Sequence, residues 1–313
     1  MRQKILMMGP IPAAQMQDLE ENYAVTRLWQ AQNPEETLAE IRQDVTGIVS
    51  TAWSGVSARL ISALPNLEII SHFGVGYDSV DVQAAREQGV IVTNTPDVLT
   101  DDTADIGIGL VLCVLRRMVE ADIYVRSGQW GNKGAMPLGR ALRGKTIGII
   151  GLGRIGQAVA LRARAFGLKV AYTSRTEKKD AGDAMFYADA EQLAAASDIL
   201  MVTCSYTQET HHLVNAAVLR ALGKNGVIVN IARGKIIDEQ ALIDALESGS
   251  ISGAGLDVFA NEPDVPSALC RLDQVVLQPH QGSATHETRA AMAQLVVDNL
   301  KLYFEKAEVL TPV

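Results

Sequence analysis

The stretch KTIGIIGLGRIG, residues 145–156, decides the fold of this chain. It begins with a short apolar run rich in β-branched residues, which predicts a buried parallel strand. Three glycines follow at Gly151, Gly153 and Gly156, and residues 157–167 then have the pattern of a helix that ends at a glycine. A glycine turn between a strand and a helix is the context in which the G-x-G-x-x-G spacing indicates a dinucleotide-binding unit.

The three glycines have separate physical roles in such a unit. Gly151 allows the tight turn, Gly153 lets the backbone approach a pyrophosphate, and Gly156 lets the helix pack closely on the strand. The phosphates are then held by N–H groups at the helix N-terminus, where the helix dipole favours negative charge. The alternative is a glycine-rich turn without a ligand, but the strand before it and the helix after it favour the binding unit.

The end of the next predicted strand, 168–173, bears on which dinucleotide is bound. An NAD-binding protein usually has Asp or Glu here, because a carboxylate accepts a hydrogen bond from the ribose 2′-hydroxyl. This chain instead has Ser174, Arg175 and Thr176, which suit a 2′-phosphate because a guanidinium binds it in a planar fork and hydroxyls donate to it. We therefore expect NADPH to be preferred, with NADH also usable. The alternative is that Arg175 is only a solvated surface residue.

Length, charge and cysteine content limit the classes of protein to which the chain can belong. Its 313 residues suggest two domains, and its net charge of −8 argues against nucleic acid or a membrane surface as a partner. Three cysteines without paired spacing indicate reduced thiols and a cytoplasmic location. No apolar run approaches the roughly 18 residues of a membrane span. His211 and His212 are adjacent, with no carboxylate at ligand spacing, so no metal site is expected.

Residues 1–94 alternate short apolar runs with helical patterns, which predicts a small parallel sheet wound with helices. The predicted strands are 4–8, 24–28, 47–51, 67–71 and 90–93, and the predicted helices are 12–22, 34–42, 57–63 and 82–88. A long apolar helix is predicted from Thr103 to about Ala121, with an irregular arm after it over 122–143. Further strands are predicted at 198–203, 226–231, 253–258 and 274–277, and a last helix at 284–304.

A glycine-rich loop follows the fourth predicted strand, at 72–78. In open α/β sheets, ligands bind outside the carboxyl ends of the strands, and this loop lies at such an end. Its glycines leave the backbone N–H groups of Val75 and Gly76 able to face an anion. A plain turn is an equally good interpretation of the loop taken alone.

Three later strand ends each bring one residue that can carry chemistry. These residues are Arg233, Glu262 and His280. The strand ends of a doubly wound sheet meet at one cleft, where these three side chains suit hydride transfer to a 2-keto acid. Arg would bind the substrate carboxylate, protonated His would donate a proton to the developing alkoxide, and Glu would hold the second ring nitrogen of His. Taken singly, the three are more simply explained as a surface Arg, a helix-capping Glu and a core His.

Six blocks of sequence are together far more specific than the glycine motif alone. They are VGYDSVD (75–81), TNTPDVLTDDTAD (93–105), GIIGLGRIGQAVA (148–160), NIARGKIID (230–238), GAGLDVFANEP (253–263) and QPHQGSATHETR (278–289). In these blocks the chain resembles the D-isomer-specific 2-hydroxyacid dehydrogenases, and the resemblance covers nearly its whole length. It looks closest to the glyoxylate/hydroxypyruvate reductases and the plant-type hydroxyphenylpyruvate reductases.

The resemblance implies site residues and a partner. Arg233, Glu262 and His280 would form the catalytic set, and the backbone N–H groups of Val75 and Gly76 would hold the substrate carboxylate. The residues implied to line the cofactor are Thr103, Gly151, Gly153, Arg154, Ile155, Gly156, Ser174, Arg175, Thr176, Ile231, Asp257 and Gly282, with Asp257 near the carboxamide. Family members are usually homodimers, so a second copy of the chain is the expected partner.

We expect an α/β protein with two doubly wound parallel-sheet domains. A Rossmann cofactor domain is predicted at 97–284, and a smaller flavodoxin-like substrate domain is predicted from 1–96 and 285–313. The expected activity is NADPH-preferring reduction of a small 2-keto acid, glyoxylate or hydroxypyruvate, to the D-2-hydroxy acid. Gln281 stands where many family members have an aliphatic residue, which bears on the fine specificity of the pocket.

Two alternatives to this activity are open at the level of sequence. One is an aryl-pyruvate reductase, in which Trp53, His72 and the segment 122–143 shape a larger pocket. The other belongs to a different class, a non-enzymatic nicotinamide-sensing binding protein, since a group of transcriptional corepressors shares this fold. The acidic net charge and the lack of added tails weigh against the second alternative.

Overall fold

The structure is a computed structural model that describes residues 2–313. The chain divides into two compact units, one formed by Met1–Leu99 with Thr285–Val313 and the other by Thr100–Ala284. Each unit contains one sheet in which the paired strands are parallel, so the expected architecture of two parallel-sheet α/β domains is confirmed.

The first unit begins with five strands and four helices that alternate along the chain. The strands are β1 (Lys4–Met7), β2 (Ala24–Arg27), β3 (Val45–Thr51), β4 (Ile69–Phe73) and β5 (Ile91–Thr93). The helices are α1 (Ala13–Asn22), α2 (Pro34–Ile41), α3 (Ala58–Ser62) and α4 (Val82–Glu87), with a 3₁₀ turn at Leu28–Gln30. The strand order β2-β1-β3-β4-β5 is the flavodoxin-like order.

Local sequence explains where these helices begin. Pro34 is the first residue of α2, and the Asn33 side chain before it accepts a hydrogen bond from Glu36 N. Asp81 caps α4 in the same way by accepting from Ala84 N. Beneath the helices, apolar residues of the strands form a core that excludes water, and this core fixes the sheet edge where β4 ends.

The second unit contains seven strands and eight helices. The strands are β6 (Thr146–Ile150), β7 (Lys169–Thr173), β8 (Met185–Phe186), β9 (Ile199–Val202), β10 (Val227–Asn230), β11 (Gly253–Leu256) and β12 (Val275–Leu277). The helices are α5 (Thr100–Arg116), α6 (Met118–Arg126), α7 (Gln129–Lys133), α8 (Arg154–Ala165), α9 (Ala190–Ala195), α10 (Ala216–Leu222), α11 (Glu239–Glu247) and α12 (Ser267–Cys270). Two 3₁₀ turns, Gln208–Thr210 and Gly234–Ile236, complete it.

The order of the seven strands is β12-β11-β10-β9-β6-β7-β8. Counted outward from β6, this is the dinucleotide-binding order with one strand added at the edge. Both faces of the sheet are covered, because alternate residues of one strand enter different cores. In β9, for example, Leu200 and Val202 belong to one cluster, whereas Ile199 and Met201 belong to the other. Because both faces are buried, the strand sequences are apolar at nearly every position instead of alternating with polar residues.

The single helix predicted from Thr103 to about Ala121 is wrong, because two helices occupy this segment. Arg117 separates α5 from α6 in a left-handed conformation, with φ of 54°, and its guanidinium donates to both oxygens of Glu120 at 2.7 Å. The apolar pattern continues across the break and therefore could not indicate it. The segment 122–143, predicted to be irregular, also contains the end of α6 and the short helix α7.

The last helix, α13 (His286–Lys306), returns the chain to the first unit. Its start is capped by Thr285, whose side chain accepts from Thr288 N, and it ends at Ala307 in a left-handed conformation. Ser71 of β4 donates to Val296 O at 3.2 Å, which ties the helix to the sheet. The helix therefore supports the strand that leads into the glycine-rich loop.

Candidate active site

The glycine turn after β6 has the shape of a phosphate cradle. Gly151 has a φ of +96°, and a Cβ there would lie 2.6 Å from Cys204 Cα. A Cβ at Gly156 would collide with Gly151 O, whereas a Cβ at Gly153 would meet nothing within 4 Å. Gly153 is the N-cap of α8 and has no side-chain capping bond. The residues therefore fit a pyrophosphate, because the turn leaves open space in front of uncapped helix N–H groups.

The loop after β7 presents the residues predicted to select the cofactor. Arg175 and Thr176 are exposed, Ser174 is half-buried, and Ser174 Oγ donates to Thr176 O at 2.6 Å. Lys178 N donates to the hydroxyl of the buried Tyr172 at 2.8 Å, which fixes the path of the loop. A hydrogen bond from Thr207 and, more weakly, the charge of Arg175 lower the pKa of Glu209. Positive charge therefore stands where an NAD-type protein has a carboxylate.

The structure brings His280 and Glu262 together. His280 Nδ1 lies 2.7 Å from Glu262 Oε2, and Glu262 Oε1 accepts from Phe259 N at 3.0 Å. Burial raises the pKa of Glu262, but the hydrogen bond and charge of His280, the Phe259 N–H and the charge of Arg233 outweigh it, so the pKa is below its ordinary value. Glu262 is therefore an ionised partner that holds one nitrogen of the ring.

Arg233 stands after β10, where the buried Asn230 shapes the turn. Asn230 Nδ2 donates to Arg233 O at 2.9 Å, and Asn230 Oδ1 accepts from Ala232 N at 3.0 Å. A Cβ at Gly234 would collide with the backbone of Phe259, so the loops after β10 and β11 are in direct contact. This contact explains why the charge of Arg233 acts on Glu262. Asn230 carries no chemistry of its own, and its sequence position gave no signal of this role.

Asp257 shapes the loop that carries His280. Its buried carboxylate accepts from Gln281 N at 2.6 Å and from Gly282 N at 2.8 Å, and its backbone carbonyl accepts from His280 N at 2.9 Å. Burial raises the pKa of Asp257, against the opposing effect of these N–H donors and of His280. His280 has a φ of 54°, a conformation that these bonds hold in place. The sequence placed Asp257 only beside the cofactor, and this second role was missed.

Two further residues predicted to line the cofactor lie in the same unit. Thr103 is buried, and its side chain stands 3.3 Å from where a Cβ on Gly282 would be. Ile231 is buried, and its Cδ1 stands 2.9 Å from where a Cβ on Gly107 would be. Within residues 2–313, no group of three or more His, Cys, Asp or Glu is arranged to hold a metal ion.

The glycine-rich loop of the first unit follows a strand, as the sequence predicted, but His72 and Phe73, predicted to begin the loop, are the last residues of β4. Gly74, Val75 and Gly76 are half-buried, and Asn94 Nδ2 donates to Val75 O at 2.9 Å. His72 is fully buried, so it can shape a pocket only through the groups that it contacts. Trp53 is 60% exposed after β3.

Comparison with known proteins adds three findings. Residues 108–282 match the family described as D-isomer specific 2-hydroxyacid dehydrogenase, NAD binding domain. A glyoxylate/hydroxypyruvate reductase A of Arabidopsis thaliana and a hydroxyphenylpyruvate reductase of Plectranthus scutellarioides are each 48% identical over 309 residues, which is 99% of this chain and 98% of each relative. An NADPH-dependent glyoxylate/hydroxypyruvate reductase of Sinorhizobium meliloti, solved in complex with NADP and malonate, has a TM-score of 0.93 at 45% identity and covers 100% of this chain and 97% of its own.

Proposed function

The chain belongs to the D-isomer-specific 2-hydroxyacid dehydrogenases, and from that premise we propose that it reduces glyoxylate or hydroxypyruvate to the D-2-hydroxy acid. The observation that carries the proposal is the 2.7 Å hydrogen bond between His280 and Glu262, in a loop cluster that also carries Arg233. The reductases to which the chain is similar support this choice of substrate.

His280 is the proposed proton donor. Glu262 holds Nδ1, so the proton that is transferred is the one on Nε2. The ionised carboxylate stabilises the positive charge of the ring before transfer and keeps the ring in one orientation. When the ring has given its proton to the alkoxide oxygen, it is neutral and must regain a proton from solvent before the next turnover.

Arg233 is the proposed anchor for the substrate. A guanidinium binds a carboxylate in a planar fork and draws electron density from the neighbouring carbonyl. The backbone N–H groups of Val75 and Gly76 are proposed as further donors to the same carboxylate. A bound reduced nicotinamide supplies the hydride that the carbonyl carbon accepts, and addition of this hydride and one proton gives the hydroxy acid.

We propose that NADPH is preferred to NADH. The support is the exposed Arg175 with Ser174 and Thr176 at the end of β7, where a carboxylate would repel a 2′-phosphate. The similar reductase of Sinorhizobium meliloti, which is NADPH-dependent and was solved with NADP, agrees with this preference.

A substrate panel tests the proposed reaction. Glyoxylate, hydroxypyruvate, pyruvate and phenylpyruvate are each supplied with NADPH and with NADH, and cofactor oxidation is followed. We expect the highest kcat/KM with glyoxylate or hydroxypyruvate and NADPH, and a product of D configuration. If none of the four acids is reduced with either cofactor, the proposal fails and the nicotinamide-sensing alternative is favoured.

A second candidate, hydroxyphenylpyruvate reduction, rests on two observations. A relative of that name is 48% identical over 99% of the chain, and the exposed Trp53 offers an aromatic surface after β3. Adding hydroxyphenylpyruvate to the same panel decides between them. A kcat/KM for this acid above those for glyoxylate and hydroxypyruvate would establish the second candidate.

We also propose a homodimer and a cytoplasmic location. Helix α6 exposes Met118, Val119, Ile123 and Val125 by 46–56%, a patch that a second copy can cover. The three cysteines are free thiols, which suits a reducing compartment. No helix within residues 2–313 combines the length and the apolar character needed to cross a membrane. Light scattering should give twice the chain mass of 33.6 kDa, and the mass of one chain would contradict the dimer.

A further inference from the structure

The loop after β4 is held by hydrogen bonds to three consecutive backbone carbonyls. Thr95 N donates to Gly74 O at 3.0 Å, and Asn94 Nδ2 donates to Val75 O at 2.9 Å. The third carbonyl, that of Gly76, lies 3.0 Å from His72 Nε2. All of these groups belong to the first unit, so the loop is held by its own domain.

The pinned carbonyls determine where the N–H groups point. The only cis peptide bond within residues 2–313 is Glu262–Pro263, so the peptides of this loop are trans. In a planar trans peptide the C=O and the N–H point in opposite directions. Each of the bonded carbonyls, at Gly74, Val75 and Gly76, therefore turns the N–H group of the residue after it away from the donor that holds that carbonyl.

Two of these N–H groups have no acceptor in the structure. Neither Val75 N nor Tyr77 N donates to any group within residues 2–313. Successive backbone N–H groups that face one side form a concavity that suits an anion. The Tyr77 N–H group is therefore a candidate donor to an anion, in addition to the two that the sequence indicated.

His72 is built to hold the last of the three carbonyls. Its ring is fully buried, and Ser50 Oγ lies 2.9 Å from Nδ1. A carbonyl oxygen only accepts, so Nε2 carries the proton, and Nδ1 of the neutral ring accepts from the Ser50 hydroxyl. The loop passes so close to the ring that a Cβ at Gly74 would lie 2.9 Å from Nε2. Gly76 O thus sets the tautomer, and Ser50 holds the ring in its orientation.

We propose that His72 is a positioning residue for substrate binding: through Gly76 O it turns the peptide between Gly76 and Tyr77, so that the Tyr77 N–H becomes a third donor to the substrate carboxylate. The inference rests on the proposed function, which assigns this loop to that carboxylate. A carboxylate is bound in the same way before and during hydride transfer, so the contact contributes to affinity more than to turnover.

The test compares two replacements of His72. In His72→Leu the donor to Gly76 O is lost, and we expect KM for glyoxylate to rise about tenfold with kcat little changed. In His72→Gln the side-chain amide can still donate to Gly76 O, so most of the affinity should return. The inhibition constant of oxamate, an unreactive keto-acid analogue, should follow the same order. Ser50→Ala, a smaller change, should raise KM in the same direction.

Ser71→Ala is the matched control, because Ser71 neighbours His72 in β4 but makes no bond to the loop: its hydroxyl donates to Val296 O in α13 and accepts from Thr93 Oγ1 at 3.1 Å. It removes a buried hydroxyl and should lower the melting temperature without changing KM. The affinity for NADPH should be the same in all variants.

An unchanged KM in His72→Leu and Ser50→Ala would overturn the inference, and so would equal rises in KM in His72→Gln and His72→Leu. If His72→Leu does not fold, Ser50→Ala and His72→Gln decide between these outcomes. A wild-type protein that reduces no 2-keto acid would instead refute the proposed function.

Discussion

The loop after β4 and the loops after β10, β11 and β12 are two ways to build a site at the carboxyl ends of parallel strands. The first offers backbone N–H groups, whereas the others offer the side chains of Arg233, Glu262 and His280. In the proposed mechanism, the residue types of the second unit themselves carry the chemistry. In the first unit the proposed donors belong to the backbone, and we propose that residues behind it, such as His72, set their direction. Substitution of His280 should therefore remove rate, whereas substitution of His72 behind the loop after β4 should remove affinity.

The largest expected effect is that of His280→Ala, which removes the proposed proton donor. A positioned general acid contributes about 10² to 10⁴-fold, so kcat/KM for glyoxylate should fall by that factor, mainly through kcat. Steady-state kinetics with saturating NADPH measures the loss. His72→Leu should instead change KM, so the two variants together distinguish an effect on kcat in the second unit from an effect on KM in the first.

His286→Ala is the control for this prediction, because His286 is exposed at the start of α13 and should leave the kinetics unchanged. A His280→Ala protein that keeps kcat within a few-fold of wild type would contradict the proposed difference between the two regions. It would mean that the side chains in the second unit do not carry the proton transfer.

Arg175→Ala should have the next largest effect, again at a side-chain site. A hydrogen bond to a charged group contributes about 1.5–3 kcal/mol, so the Kd for NADPH should rise roughly 10- to 100-fold. The Kd for NADH should stay the same, because NADH has no 2′-phosphate. Fluorescence titration of both cofactors measures the change. Lys179→Ala is the matched control, because it removes another exposed positive charge from the same loop. Equal weakening of the two cofactors would contradict the assignment.

Gly153→Ala tests a backbone site inside the second unit. The structure has nothing within 4 Å of a Cβ at this position, so the fold should tolerate the change. A pyrophosphate that approaches the backbone would meet the new methyl group, and a loss of ~1.4 kcal/mol would weaken NADPH and NADH alike by about tenfold. Gly109→Ala, in open space within α5, is the control and should not change cofactor affinity. Unchanged affinity in Gly153→Ala would place the pyrophosphate elsewhere.

The difference between side-chain and backbone sites also explains which features could be predicted from the sequence. The alternation of apolar runs and helices, together with the glycine turn, was enough for the α/β class and the parallel sheets, because strand burial and helix capping are local properties. Arg233, Glu262 and His280 were visible because their residue types are chemically unusual at strand ends. The break at Arg117 was not visible, since a single left-handed residue leaves the apolar pattern unchanged.

The residues that position the sites were harder to see. Asn230, Asp257 and His72 act through hydrogen bonds to backbone groups of neighbouring loops. Such bonds depend on the path of the backbone, which cannot be read from the type of a single residue. For His72, both the complete burial of the ring and its contact with Gly76 O are visible only in the folded chain.

The smallest expected effect concerns stability and tests whether Glu262 is ionised in its pair with His280. Its pKa is lowered from 4.5, so the carboxylate contributes stability that is fully present above this value and is lost as the pH falls through the lower folded value. The difference in unfolding free energy between wild type and Glu262→Gln should therefore shrink from about pH 6 to pH 3 in urea titrations. Ser71→Ala alters no titratable group, so its difference from wild type should not depend on pH. A Glu262→Gln difference that is equally independent of pH would show that the carboxylate is not held ionised, and the second region would then lack the electrostatic pair that distinguishes it from the loop after β4.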